Sequence, residues 1–308
     1  MPAGIIFFGT PEFAVPTLKS LIERREKILL VITQPDKPKG RGKIIQPCET
    51  KKIAVEFGLN VAQPEKLKDE SFIKMLKELN PEFGIVVAYG KILPKEVLEI
   101  PEYGCINLHA SLLPKYRGAA PIQWALIKGE KITGVTTMLI DEGLDTGPVL
   151  LQKEVPIEDE DNAQSLVHKL SIVGAELIIE TIEKMRKGQI QPKPQEGEAS
   201  YAPQLKKEDG KINWNAPAKE IVNLIRGTYP WPCAYSFLKN ERVKIIKAEA
   251  LAGKAPAGMI VKAKDELIVG TGNGLLKILL IQPEGKKVMT AKEFLSGRKI
   301  NETMDSFS

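Results

Sequence analysis

The sequence predicts an α/β protein in which a mostly parallel sheet, flanked by helices, is followed by a small β-barrel. Three observations support this fold class. Short apolar runs alternate with amphipathic stretches in the first half of the 308 residues, which is typical of parallel sheets. A segment rich in proline and glycine then interrupts the pattern. Beyond it, β-rich segments recur about every ten residues, as in small antiparallel barrels.

Four apolar runs are predicted to be strands of the parallel sheet, because each is apolar on both faces. These runs are 5–8, 28–32, 85–88 and 105–108. Apolar residues at helical spacing between them predict helices on both faces of the sheet. The longest helical pattern covers 161–187, and Gly188 is predicted to end that helix.

The helix is followed by polar residues with three prolines and little apolar pattern, which is typical of a linker. We therefore predict a first domain over 1–187, a linker over 188–205 and a second domain over 206–308. The second domain is predicted to contain one helix, 217–226, and five strands. The predicted strands are 234–238, 243–246, 258–261, 266–269 and 275–281.

The composition is that of a globular protein, with 43% hydrophobic and 27% charged residues. No apolar run approaches the ~20 residues that a membrane helix needs, and the first residues lack the features of a signal peptide. A cytoplasmic location without membrane association is expected. Cys48, Cys105 and Cys233 lie far apart and form no CxxC pair, so neither a disulfide framework nor a metal site is expected.

The net charge of +5 is unevenly distributed along the chain. Residues 206–308 hold 18 lysines and arginines against 11 aspartates and glutamates, a net charge of +7. The preceding 205 residues hold 26 against 28, a net charge of −2. This basic excess is either an ordinary solvated surface or a site for a polyanionic partner.

The first strand leads into Gly9-Thr10-Pro11-Glu12-Phe13, at the position of the glycine-rich loop in dinucleotide-binding proteins. Only one of the three glycines of the G-x-G-x-x-G pattern is present, and no P-loop pattern occurs in the chain. The sequence therefore indicates no nucleotide site at this loop.

A second loop, 34–47, is longer than most connections in α/β units. It places cations at alternate positions, namely Lys37, Lys39, Arg41 and Lys43. Two interpretations remain equally open. The loop is either a surface loop without a ligand or an arm that becomes ordered on a phosphate backbone.

The candidate for chemistry lies at the end of the fourth strand. Asn107 and His109 are two residues apart, so both face the same side of the sheet, and ligands of open α/β sheets bind at this edge. Asp145 follows in a turn containing glycines. Together these residues suit formyl or acyl transfer to an amine. An amide stabilises a developing oxyanion, an imidazole moves protons and a carboxylate orients the imidazole. Whether His109 acts as base or as oxyanion donor stays open.

Several motifs resemble those of a known family. NLHASLLP at 107–114, RGAAPIQ at 117–123 and the turn at 141–147 resemble the signature of the folate-dependent formyltransferases. Other segments are similar to the members of that family that act on aminoacylated tRNA. These are FFGTPEFAVPTL at 7–18, TQPDKPKGRGK at 33–43, VVAYGKILP at 86–94, YPWPCAY at 229–235 and QPEGKK at 282–287. The resemblance runs through both domains.

This resemblance implies a Rossmann-like formyltransferase catalytic domain, an OB-like tRNA-binding domain and specific residue roles. The implied catalytic residues are Asn107, His109 and Asp145. The implied folate contacts are Ser111, Leu112, Leu113 and Pro114, with 88–93 lining the pterin pocket. The implied tRNA contacts are Arg41, as the principal one, with Lys39 and Lys43.

The substrates implied are 10-formyltetrahydrofolate as the formyl donor and methionyl-initiator-tRNA as the acceptor. No metal and no obligate protein partner are implied. Two alternatives remain at this stage. One is a folate enzyme of another kind, either a formyltransferase for a small amine, such as glycinamide ribonucleotide or an amino-sugar nucleotide, or a formylfolate hydrolase domain. The other is a nucleic-acid-binding protein without catalysis.

Overall fold

The computed structural model describes residues 4–39, 44–296, 298, 300–302 and 304–308. The chain forms two compact units, each described by itself. Unit 1 is Met1–Gly118, Ile132–Pro156 and Val167–Tyr201, and unit 2 is Ala119–Lys131, Ile157–Leu166 and Ala202–Ser308. Unit 1 thus includes part of the segment predicted to be a linker. The division into 1–187, 188–205 and 206–308 stays a prediction.

Unit 1 is built on a seven-stranded sheet. Its strands and those of a small second sheet are, in chain order, β1 Ile5–Gly9, β2 Ile28–Ile32, β3 Lys37–Lys39, β4 Ile44–Gln46, β5 Val61–Ala62, β6 Phe83–Val87, β7 Cys105–His109, β8 Ile132–Leu139 and β9 Val149–Pro156. The order in the large sheet is β5-β2-β1-β6-β7-β8-β9. The first five of these run parallel, and β8 is antiparallel to both of its neighbours. This arrangement confirms the predicted Rossmann-like, mostly parallel sheet.

The apolar pattern of the sequence did not predict strands β8 and β9. Three threonines of β8 are buried, namely Thr133, Thr136 and Thr137, and their hydroxyls would be costly there without partners. The Thr137 hydroxyl lies 2.9 Å from that of Thr181, and the Thr136 hydroxyl donates to the Ser111 carbonyl at 2.6 Å. These hydrogen bonds let a polar strand lie inside the sheet.

The helices of the chain are α1 Val15–Glu23, α2 Glu49–Glu56, α3 Glu70–Leu79, α4 Lys95–Leu98, α5 Pro121–Ile127, α6 Ala163–Arg186, α7 Ala218–Thr228 and α8 Ala291–Ser296. Helix α6 agrees with the predicted 161–187 pattern. Asn162 and Ser165 cap its start reciprocally, each side-chain oxygen accepting the other residue's backbone N–H. Gly188 ends the helix with φ +63°, a conformation that favours glycine.

The loop 34–47, called the cationic loop below, contains regular structure, since β3 and β4 pair as a two-stranded antiparallel sheet. A polar cluster holds the loop's first residues. The Asp36 carboxylate accepts hydrogen bonds from Lys51 Nζ at 2.6 Å and from Gln63 Nε2 at 2.8 Å. These two bonds hold the pKa of the Asp36 carboxyl below its ordinary value. The start of the loop is therefore fixed to unit 1.

Unit 2 contains an antiparallel sheet of six strands. They are β10 Ala234–Leu238, β11 Glu241–Leu251, β12 Ile260–Lys262, β13 Leu267–Gly270, β14 Leu275–Pro283 and β15 Met289–Thr290. The pairing order is β10-β11-β14-β13-β12, with β15 beside β14. The strands form a half-barrel, which confirms the predicted class of the second domain. Its core takes alternate residues of these strands and the apolar face of α7, including Ile221 and Ile225.

Among the residues that the structure describes, no helix has both the length and the apolar character needed to cross a membrane. All three cysteines are free thiols. Burial raises the pKa of the Cys105 thiol to about 12, so this side chain behaves as a small apolar residue of the core.

Candidate active site

The candidate site lies where parallel strands end. β1, β6 and β7 run side by side in the same direction, so Gly9, Val87 and His109 lie along one edge of the sheet. Gly9 is required there, because a Cβ atom would lie 2.8 Å from the Cβ of Ala14 and 3.2 Å from the carbonyl oxygen of Val87. The single glycine of this loop serves close packing, in agreement with the absence of a nucleotide motif.

Hydrogen bonds join the loops that follow β1, β2 and β6. The Tyr89 carbonyl accepts from the Thr10 hydroxyl at 3.1 Å and from Gln34 Nε2 at 2.9 Å. Gln34 N–H in turn donates to Thr10 Oγ1 at 3.3 Å. The edge of the sheet beside β7 is therefore a connected framework on which polar side chains can be held in place.

Asn107 and His109 lie on one face of β7, as predicted. The residue between them, Leu108, packs on the other face against α6, where a Cβ atom on Gly174 would lie 2.5 Å from its side chain. His109 is 6% exposed, and Asn107 is half-buried. Within the described residues the Asn107 amide has no hydrogen-bond partner. Its donors are therefore free to bind a substrate oxygen.

The His109 imidazole lies between two oxygen atoms. Nε2 is 2.9 Å from the Tyr116 carbonyl oxygen, and Nδ1 is 3.6 Å from Asp145 Oδ2. A carbonyl only accepts, so we assign the hydrogen of the neutral ring to Nε2. The lone pair then lies on Nδ1, beside a carboxylate. The 3.6 Å separation is an electrostatic contact, longer than a hydrogen bond.

Asp145 is held in an unusual conformation. Its φ of +52° lies in the left-handed region, which costs ~1 kcal/mol or more for a residue with a Cβ. Its carboxylate Oδ2 accepts from Gly118 N–H at 2.8 Å. The turn 141–147 is also held at Asp141, whose carboxylate accepts from Gly143 N–H and the Thr146 hydroxyl. The turn thus places the Asp145 carboxylate beside the His109 imidazole.

The predicted folate-contacting residues follow directly after His109. The Ser111 hydroxyl donates to the Lys115 carbonyl at 2.6 Å, and Ser111 is fully buried. Leu112 is half-buried, Leu113 is buried, and Leu113 and Pro114 are joined by a cis peptide bond. Thr136 holds this stretch through hydrogen bonds at Ser111 and Leu113. Contact of these four residues with folate stays a prediction.

The segment 88–93 directly follows β6, the neighbour of β7 in the sheet. Ala88, Gly90 and Ile92 are exposed, whereas Tyr89 and Leu93 are buried. Because β6 runs parallel to β7, this segment begins at the same edge of the sheet as His109. This placement suits a pocket wall, the role predicted for the segment.

The predicted tRNA contacts fall partly outside the described residues. Lys39 is the last residue of β3, whereas Arg41 and Lys43 lie outside the described ranges. Among the described residues, no group of three or more His, Cys, Asp and Glu side chains could hold a metal ion.

Four residues next to the imidazole and Asp145 were missed in the sequence. Tyr116 and Gly118 offer backbone atoms, a role that no side-chain pattern reveals. Their position directly after 107–114 was the available signal. Gln195 and Ser200, which contact the same two stretches, lie in a polar segment whose composition is typical of a linker.

Comparison with known proteins identifies the family. A family model described as "Formyl transferase" matches residues 3–182, and one described as "Formyl transferase, C-terminal domain" matches residues 204–299. These matches cover both parts of the chain. They also agree with the mostly parallel sheet of unit 1 and the half-barrel of unit 2.

Two relatives are similar over the whole chain. One is methionyl-tRNA formyltransferase of Thermodesulfovibrio yellowstonii, 78% identical over 308 residues and 100% of both chains. The other, from Caldanaerobacter subterraneus subsp. tengcongensis, has the same name and is 53% identical over 97% of this chain and 98% of its own. A solved methionyl-tRNA formyltransferase from Clostridium thermocellum shares the fold, with a TM-score of 0.54 and 21% identity over 80% of this chain and 92% of that one. The chain belongs to the methionyl-tRNA formyltransferase family.

Proposed function

We propose that this protein transfers the formyl group of 10-formyltetrahydrofolate to the α-amine of methionine esterified to initiator tRNA. The observation that carries the proposal is the juxtaposition of Asn107, His109 and Asp145 at the end of β7 in a member of this family. The relatives' names specify a tRNA substrate, which favours it over a small amine. The donor supplies a formyl carbon that an amine can attack directly.

Asn107 would stabilise the charge that develops on the formyl oxygen. Its amide is half-buried and has no partner among the described side chains and backbone groups. A preorganised donor of this kind acts more strongly in a partly desolvated site than in water. Because the amide lies on β7, between two neighbouring strands, its position is set by the rigid sheet.

His109 would carry the proton between the two nitrogens of the reaction. As the amine attacks, Nδ1 accepts its proton, because Nε2–H donates to the Tyr116 carbonyl and leaves the Nδ1 lone pair available. The resulting imidazolium lies 3.6 Å from the Asp145 carboxylate, which stabilises it. The proton then passes to the folate nitrogen as its bond to the formyl carbon breaks. An α-amino group has a pKa of about 8, so roughly a tenth of it is unprotonated at pH 7 and can act as the nucleophile.

We further propose that the cationic loop and the basic region 206–308 bind the tRNA. Arg41 would be the principal contact with the acceptor end, assisted by Lys39 and Lys43. The Asp36, Lys51 and Gln63 cluster supports this role, since it fixes the start of the loop to the unit that holds the active site. The charge of +7 over 206–308 supplies the second positive region.

The salt dependence of KM for methionyl-tRNA tests tRNA binding by these cations. Each phosphate contact adds about −0.9 to the slope of log affinity against log salt for a duplex. Three loop cations therefore predict a slope of roughly −3 or steeper. Arg41→Ala should make the slope shallower by about one, whereas the control Arg24→Ala, an exposed arginine directly after α1, should leave it unchanged. A flat profile for the wild type would contradict the proposal.

Gly147→Ala should lower kcat by roughly 10- to 100-fold, because a Cβ at this position would collide with the Leu139 carbonyl oxygen and displace the turn that carries Asp145. Gly58→Ala is the matched control. Gly58 has φ +67° and open space around it, so alanine there destabilises the chain without moving the site. Steady-state kinetics and Tm of both variants check the prediction, and an unchanged kcat in Gly147→Ala would count against it.

A further inference from the structure

The stretch 195–200 runs along the active site of unit 1. Two residues before its start, Lys193 pairs with Val149 of β9 through two backbone hydrogen bonds, with N–H···O distances of 2.7 and 2.9 Å. Beyond its end, Tyr201 bridges to Arg117. These attachments fix a segment that has neither helix nor strand of its own.

The Gln195 amide makes four hydrogen bonds. Its Nε2 donates to the Asp145 carbonyl at 2.8 Å and to the Gly147 carbonyl at 2.9 Å. Its Oε1 accepts from Arg117 Nε at 3.1 Å and Nη2 at 2.6 Å. Carbonyls only accept and a guanidinium only donates, so this orientation of the amide is the one that satisfies all four bonds. Arg117 thus orients Gln195 toward the turn.

Gln195 acts on a residue whose backbone is left-handed. Asp145 has φ +52°, and a residue with a Cβ keeps that conformation only where its surroundings hold it. The backbone carbonyl is held by Gln195 and the carboxylate by Gly118 N–H. Since the carboxylate oxygen lies 3.6 Å from His109 Nδ1, the hold on the backbone also sets this separation.

Ser200, in the same stretch, holds the other side of the imidazole. Its Oγ accepts from Tyr116 N–H at 2.9 Å, and its carbonyl accepts from Arg117 N–H at 2.8 Å. The Tyr116 carbonyl then accepts from His109 Nε2. Hydrogen bonds from this one stretch therefore hold both residues, Asp145 and Tyr116, whose oxygen atoms flank His109.

We infer that Gln195 is a positioning residue for formyl transfer, acting on His109 by holding Asp145 in place, and that Arg117 orients its amide. The catalytic consequence rests on the proposed function. The positioning of the imidazole does not, because it follows from the hydrogen bonds alone. The position of the imidazole and its effect on formyl transfer are therefore measured by separate experiments.

The test is Gln195→Glu, which has nearly the same shape. It keeps an oxygen for Arg117 but removes both donors and places a second oxygen against two carbonyls. We expect kcat to fall by roughly 10- to 100-fold, with KM for methionyl-tRNA unchanged. The control is Gln191→Glu, the same charge change at an exposed position of the same segment, which should behave as wild type. If Gln195→Glu lowers Tm, the neutral Gln195→Leu is compared in the same way.

Two further measurements separate positioning from a general structural effect. The chain has two histidines, so a ¹⁵N–¹H spectrum of the imidazoles contains the His109 signals beside those of exposed His168. Gln195→Glu should move the signals of His109 and leave those of His168 in place. In a double-mutant cycle, Gln195→Glu should lower kcat no further once Asp145→Asn is present.

Unmoved His109 signals would overturn the inference, and so would a wild-type kcat in Gln195→Glu or additive losses in the cycle. The wild type, assayed beside the variants, tests the proposed function separately. A wild type without formyl transfer would contradict that function, while the imidazole spectrum would still decide the positioning role.

Discussion

Replacing Asn107 with alanine should lower kcat for formyl transfer by about 100- to 1,000-fold, which is the usual cost of removing one oxyanion donor. The structure gives the reason. The side-chain amide lies on β7, an inner strand of the sheet, and within the described residues it has no partner, so its removal breaks no hydrogen bond among them. The loss should therefore fall on kcat, with KM for either substrate nearly unchanged.

The control for Asn107→Ala is Asn60→Ala, which removes the same side chain from an exposed position. Steady-state kinetics give kcat and KM, and thermal unfolding shows whether each variant is folded. A folded Asn107→Ala enzyme with near-normal turnover would remove Asn107 from the mechanism.

Asp145→Asn should lower kcat by roughly 100- to 10,000-fold, the usual contribution of a proton-transfer system. The amide has the same shape and keeps an oxygen that can accept from Gly118 N–H. It lacks the negative charge that would stabilise an imidazolium at His109, whose Nδ1 lies 3.6 Å away. The geometry should therefore persist while proton transfer fails.

Single-turnover kinetics with bound substrates check the Asp145→Asn prediction, because they separate the chemical step from product release. Asp265→Asn, at an exposed position of unit 2, is the matched control and should react like wild type. An Asp145→Asn enzyme with a chemical step as fast as that of the control would show that the charge is not used.

The parallel part of the sheet could be predicted because burial on both faces leaves an unbroken apolar run. β2 was predicted at its observed bounds, and the end of β7 placed Asn107 and His109 correctly. β9 was missed because it carries Gln152, Lys153 and Glu154 on its exposed part. Such a strand has no continuous apolar signal.

A candidate site can be inferred from sequence only as far as side chains with characteristic chemistry define it, and the roles of Asn107, His109 and Asp145 stay a prediction. The backbone groups of Tyr116 and Gly118 have no such signature, and the proximity of Asp145 to His109 depends on one left-handed residue. Gln195 lies 50 residues from Asp145, and Ser200 lies 84 from Tyr116. Contacts at such separations arise from the tertiary fold, and the polar, proline-rich pattern around these residues resembles a linker.

The proposed activity is direct transfer of formyl to methionine on initiator tRNA. The most direct measurement follows labelled formyl from 10-formyltetrahydrofolate into four acceptors under one set of conditions. The acceptors are methionyl-initiator-tRNA, methionyl-elongator-tRNA, glycinamide ribonucleotide and an amino-sugar nucleotide. We predict rapid labelling of methionyl-initiator-tRNA, with little label in the other three. Preferential labelling of a small amine, or no transfer to methionyl-initiator-tRNA by the folded protein, would contradict this activity.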